Sequence, residues 1–148
     1  MSPTPCQNRS LNEHAERAFI PGRQFSFDDG EIASKSRYNP VRQYNSSKPD
    51  KYRIDIFVLV NTTDGKNFIY HLDVYQGKNA NNAHIVEEAW SLPTTQKAVV
   101  NAIVMSGLSN DPFGKRKLYK DNRYTALELF VLLRDKYQIL LCGTIRNN

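Results

Sequence analysis

The chain has 148 residues, 40% hydrophobic and 24% charged, with a formal net charge of +5. These figures exclude an intrinsically disordered chain and fit a single domain with a real core. The absence of an 18-residue apolar run predicts no membrane-spanning helix, and Cys6 and Cys142 are too few for a disulfide framework or a metal cluster.

In chain order, the polar stretch 1–18, with Pro3 and Pro5, is expected to be a flexible segment without a signal peptide, ahead of a domain over 19–148. Phe19-Ile20-Pro21-Gly22-Arg23 reads as a turn, 24–27 as a short extended piece, and Asp28-Asp29-Gly30 as a second turn. The stretch 35–51 has no clear period and reads as an irregular basic loop. It carries Arg37, Arg42, Lys48 and Lys51, interleaved with Tyr38 and Tyr44, and Tyr52 and Arg53 follow.

The next stretch organises the chain. Residues 54–60 are apolar at six of seven positions and β-branched, which predicts a strand buried on both faces. Asn61 to Gly65 is a turn sequence, and 68–75 alternates as a half-buried strand, so the pair reads as a hairpin. An Asn-rich segment follows, with a short helix expected over 84–90. Thr94 or Thr95 suits an N-cap for a wide apolar helix over 96–105, and Gly107 suits its stop. A short strand at 118–120 delivers Asp121. Thr125-Ala126-Leu127-Glu128 has the capping-box pattern and opens a helix to about 136, with Leu127, Phe130, Val131 and Leu133 or Arg134 inward. A last strand covers 139–145. Strands joined by crossing helices imply a mixed α/β sheet.

Three features could carry chemistry. Asp121 follows a strand and precedes a helix, the position at which open α/β sheets bind ligands; the competing reading is a loop carboxylate. Asn61 and Asp64 end the first hairpin strand. If that strand neighbours 118–120, either could approach Asp121, and Asp64 with Asp121 could hold a divalent cation; the competing reading makes both turn formers. The basic residues form two groups, Arg37, Arg42, Lys48, Lys51 and Arg53, and then Lys115, Arg116, Lys117, Lys120 and Arg123 flanking Asp121. They suit a phosphate backbone, or else are solvated charge.

Four stretches resemble the piggyBac transposase family: FIPGRQFSFDDGEI (19–32), RYNPVRQYNSSKPDKYRIDIFVLV (37–60), KDNRYTALELFVLL (120–133) and CGTIRNN (142–148). The resemblance implies an incomplete RNase H-like mixed sheet with packed helices, truncated on its C-terminal side. In that family three Asp residues bind two Mg²⁺ ions for DNA cleavage and strand transfer. By resemblance the second maps to Asp121, the first to Asn61, where the acid is replaced, and the third lies past residue 148. Asn supplies one neutral oxygen where a carboxylate would offset metal charge. A pair of unit charges about 4 Å apart is worth roughly 4 kcal/mol at an effective dielectric near 20. The expectation is therefore a remnant or domesticated transposase fragment without catalytic activity or a required cofactor, keeping non-specific DNA contact in the nucleus. The rival is an active Mg²⁺-dependent DNA transposase completed by Asp64 or by a partner chain in a homodimer.

Overall fold

In the computed structural model, the described residues are 6–76 (side chains from 10 onward), 89, 91–110, 115–121 and 126–144. The elements are α1 (Cys6–Ala18), β1 (Gln24–Ala33), β2 (Gln43–Tyr44), β3 (Tyr52–Asn61), β4 (Phe68–Val74), α2 (Thr94–Met105), β5 (Arg116–Lys120), α3 (Leu127–Tyr137) and β6 (Ile139–Gly143). They build one six-stranded mixed sheet. β1 is central, antiparallel to β3 on one side and parallel to β5 on the other, and β6 continues the parallel side. The outer edge of β3 takes β2 near its start and β4 along the rest. The expected hairpin is β3 and β4, joined through a 3-10 turn at Thr63–Gly65. Asp64 at φ 58° and Gly65 at φ 72° make that turn left-handed.

Alternation divides the sheet into two unlike faces. Phe25 and Phe27 of β1, Leu59 of β3, Leu118 of β5 and Leu141 of β6 point to one face. There they form a single core with Val99, Val100 and Ile103 of α2 and Leu129 and Leu133 of α3. The opposite face carries Ile54, Ile56, Val58 and Val60, which are only half-buried, together with the exposed Ile32, Tyr119 and Leu140. The β-branched run therefore does not mark a strand buried on both faces. Its apolar residues alternate between a helix-covered side and an open one.

Three local expectations change. Asp28-Asp29-Gly30 is not a turn: β1 runs through it, with residues 25 to 33 in unbroken register with β3. Gly30 sits opposite Ile56, and a Cβ on it would lie 2.9 Å from Ile56 Cγ1, so the glycine here is a close-approach residue. The stretch 6–18 is helical. The side-chain amide of Asn12 donates to the Leu72 carbonyl at 3.0 Å and accepts from the Leu72 N–H at 2.9 Å, occupying part of the outer edge of β4. Asn12→Ala removes both bonds and is expected to cost about 1–2 kcal/mol. Chemical denaturation and faster exchange of the Leu72 amide check it.

The third change concerns α3. Leu129 and Leu133 are buried and Phe130, as expected, packs against the core with Leu132, while Leu127 is 78% exposed and Val131 is exposed. Its N-cap is Ala126, without a side-chain cap, and Thr125 lies outside the described residues. The helix closes at Gln138 in a left-handed conformation, φ 55°. α2 starts after Pro93 rather than a threonine cap, and Gly107, φ 72°, follows its C-cap Ser106 as expected. The helix expected over 84–90 lies outside the described residues apart from Ala89. Among the described residues no helix is long and apolar enough to cross a membrane.

Candidate functional site

Strand direction decides which polar residues meet. β1, β5 and β6 run the same way, so their carboxyl ends share one end of the sheet. The last β1–β5 pair is Phe27 with Lys120, which sets Asp121 level with Asp28 and next to Asp29 on the neighbouring strand. Adjacent strands are about 4.8 Å apart, so carboxylates at this step lie within reach of one hard cation. Asp121 is exposed, and Asp29 is partly buried. The Asp28 carboxylate accepts from the Asp29 N–H at 2.9 Å. A ligand set here would be Asp28 with Asp121, which share a face of the sheet, completed by oxygens from outside the chain. Among the described residues no group of three or more His, Cys, Asp or Glu could hold a metal ion.

Asn61 and Asp64 do not join this pair. β3 runs against β1, and Asn61 pairs with Phe25, at the opposite end of the sheet from Asp121. The expectation that either residue approaches Asp121 is corrected by this antiparallel direction. Asn61 is buried, and its Oδ1 accepts the Thr63 N–H at 3.0 Å. Asp64 is exposed in the left-handed turn. Both are turn formers. The acid on the same face and level as Asp121, Asp28, was missed as a site residue because Gly30 made it look like part of a turn. Strand polarity is the signal that finds it.

The basic residues also separate. Arg37, Arg42, Lys48 and Lys51 lie around β2 and the start of β3, at the sheet end where β1 finishes, five residues past the level of Asp121. Lys115 and Lys117 are exposed but lie at the start of β5, opposite Gln24, so they do not flank Asp121 in space. Arg123 is outside the described residues. Three of the expected DNA contacts are buried. Arg116 donates from Nε to the Gly22 carbonyl at 2.9 Å, with its guanidinium 5.9 Å from the Phe25 ring centre. Arg53 donates from Nε to Asp55 at 2.5 Å and lies 3.6 Å from Glu31. The Asp55 hydrogen bond holds Arg53 further toward its charged form, against desolvation. Lys120 is buried at the tip of β5, and desolvation lowers its pKa from 10.5 to about 8. These three cations face the interior and are removed from the surface a phosphate backbone could touch.

The geometry is therefore an acidic pair, Asp28 midway along β1 and Asp121 just past the end of β5, with a basic loop beyond the carboxyl end of β1. Comparison with known proteins agrees with the fold. The structure is similar to the piggyBac transposase synaptic complex with hairpin DNA, determined by cryo-EM, at a TM-score of 0.71 and 21% identity. The similarity covers 93% of this chain and 26% of that one, so the chain spans about a quarter of that transposase chain. No curated protein matches. The mixed sheet with its packed helices is the RNase H-like architecture expected of such a protein. The family model described as Transposase IS4 matches residues 8–148, nearly the whole length, and the chain belongs to that transposase family.

Proposed function

We propose that this transposase-derived chain binds DNA electrostatically through Arg37, Arg42, Lys48 and Lys51. On this reading it holds at most one divalent cation between Asp28 and Asp121, and does not by itself cleave DNA. The observation that carries the proposal is the shared sheet end. Asp28, Asp121 and the cations of the β2 region, of which Arg37, Lys48 and Lys51 are exposed, all lie toward the carboxyl end of β1. A backbone following the cations would pass the acids, and its phosphate oxygens would complete a Mg²⁺ shell that two carboxylates leave open. The piggyBac structure contains hairpin DNA, which supports DNA as the partner. Two metals clamping attacking and leaving oxygens require more negative ligands than this pair supplies. Nuclear residence follows from a DNA partner.

The test measures duplex binding across a salt series, with and without Mn²⁺, followed by strand cleavage. Binding is expected to weaken steeply with salt, and each of Arg37→Ala and Lys51→Ala should lower the slope by roughly 1. Mn²⁺ should strengthen binding, and Asp121→Asn should abolish that gain. Salt-insensitive binding, or none at low salt, sinks the proposal. Cleavage that Asp121→Ala abolishes replaces it with the rival reading, an active Mg²⁺-dependent strand-transfer enzyme completed by an acid from a partner chain.

A further inference from the structure

The basic loop displays aromatic rings that the core does not use. Tyr38, Tyr44 and Tyr52 are 84%, 60% and 48% exposed. Tyr44 and Tyr52 are cross-strand partners of β2 and β3, with ring centres 5.1 Å apart and planes tilted by 51°. The Arg42 guanidinium lies 4.4 Å from the Tyr52 ring centre, and that of Arg37 lies 5.7 Å from Tyr38. An aromatic pair with a cation over it on an outer strand could serve only to stabilise the edge. Their exposure argues for more, because about half or more of each tyrosine's surface faces water.

The loop also holds these rings in place. The Asn45 N–H donates to the Lys51 carbonyl at 2.9 Å, closing the hairpin between β2 and β3. Asn45 Oδ1 accepts the Ser47 N–H at 3.0 Å and the Ser47 hydroxyl at 2.6 Å. Lys48 Nζ reaches Glu31 at 2.8 Å, tying the hairpin to β1. On the other side of Tyr44, the Val41 N–H donates to Asn39 Oδ1 at 3.1 Å and the Arg42 N–H to the Asn39 carbonyl at 3.2 Å. A segment without any sequence period is thus pinned by local bonds, with its tyrosines exposed.

We infer that Tyr38, Tyr44 and Tyr52, with Arg37 and Arg42, form a stacking platform for unpaired nucleobases of a DNA strand. Every base has a π-face, so such a platform is tolerant of sequence, and nearby cations take the phosphates. Bases inside a duplex are already stacked and offer no free face, so the platform selects single strands over duplex. The Tyr44–Tyr52 pair lies six residues beyond the acidic pair along β1, roughly 20 Å at about 3.4 Å each, on the β3 side of the sheet. A strand resting on it would therefore run toward Asp121. This rests on the proposed DNA partnership and adds the state of the DNA that the loop prefers.

The experiment compares the full chain with Tyr44→Ala, Tyr44→Phe and Tyr38→Ala, by fluorescence anisotropy on a labelled oligothymidylate and on a duplex of equal length at one salt concentration. Tyr44→Ala should weaken single-strand binding by about 5- to 150-fold, the range for losing one base–aromatic stack, and duplex binding by less than about twofold. Tyr44→Phe should restore the single-strand affinity. Tyr38→Ala, which removes an exposed ring outside any strand, keeps the test sound if Tyr44→Ala disturbs β2, and should show the same selectivity. Equal losses on both DNAs, or unchanged single-strand binding in both alanine variants, overturns the platform while leaving the DNA partnership standing. Absence of binding to either DNA overturns both.

Discussion

Folding stability is expected to fall by up to about 3 kcal/mol as pH drops from 6.5 to 4, because of His71. His71 lies on β4 opposite Leu59, is buried, and has a buried Nδ1 without a hydrogen-bond partner. Desolvation lowers its pKa from 6.5 to about 4. The folded pKa is thus below the unfolded one. Between the two values the unfolded chain binds a proton that the folded chain refuses, so stability drops as pH falls through that window. Above about 6.5 both states are neutral and the contribution is flat; below about 4 the full loss has occurred. Surface carboxylates titrate near the bottom of the same window, so the diagnostic quantity is the difference between wild type and His71→Leu. That variant fills the site without a proton acceptor and should lose this part of the pH dependence. For a chain of this size the wild-type melting temperature should fall by about 6–12 °C more than that of the variant. Parallel melting curves for the two proteins between pH 7 and 4 would contradict the assignment.

The fold was legible where side chains alternate and illegible where direction matters. The β3–β4 hairpin announces itself because Ile54 to Val60 and Phe68 to Val74 carry apolar patterns and the intervening turn carries Asp64 and Gly65. The RNase H-like architecture was legible in four stretches of resemblance spread along the chain. α1 was not, because CQNRSLNEHAERA has little apolar content and is held in part by two edge bonds between Asn12 and a residue sixty positions away. The inward stripe of α3 was misplaced because Leu127, Leu129, Phe130, Val131, Leu132 and Leu133 leave almost no polar face to orient it. The site failed in an instructive way. A residue at the end of a buried strand looks catalytic until the strand's direction is known. β3 is antiparallel to its neighbour, so its end carries Asn61 away from Asp121. The acid level with Asp121, Asp28, sits in the middle of β1, two residues before a glycine that resembles a turn residue but accommodates Ile56.

The same end of the sheet that holds Asn61 contains the second large effect, at Gly22. A Cβ on Gly22 would lie 2.0 Å from Thr63 Oγ1, 2.4 Å from Thr63 Cβ and 2.9 Å from Thr63 Cγ2. Thr63 has little freedom to move aside. Its N–H donates to Asn61 Oδ1, its Oγ1 accepts the Gln24 N–H at 3.1 Å, and its carbonyl accepts the Lys66 N–H at 3.2 Å. The Gly22 side is equally fixed, since its carbonyl takes the buried Arg116 Nε–H. The Pro21-Gly22-Arg23 segment and the β3–β4 turn are therefore wedged together at the start of β1. Gly22→Ala is expected to cost about 2–3 kcal/mol through this overlap alone. Thr63→Gly removes the obstructing atoms at the expense of the Oγ1 bond to Gln24 and some backbone entropy, about 1–2 kcal/mol. In the double variant the added methyl occupies the vacated space. Its loss should be smaller than the sum of the single losses by about 1–2 kcal/mol, a coupling well above the few tenths expected of independent sites. Strict additivity in a denaturation cycle would mean that Gly22 and Thr63 do not touch, and that Gly22 answers to something other than a close approach.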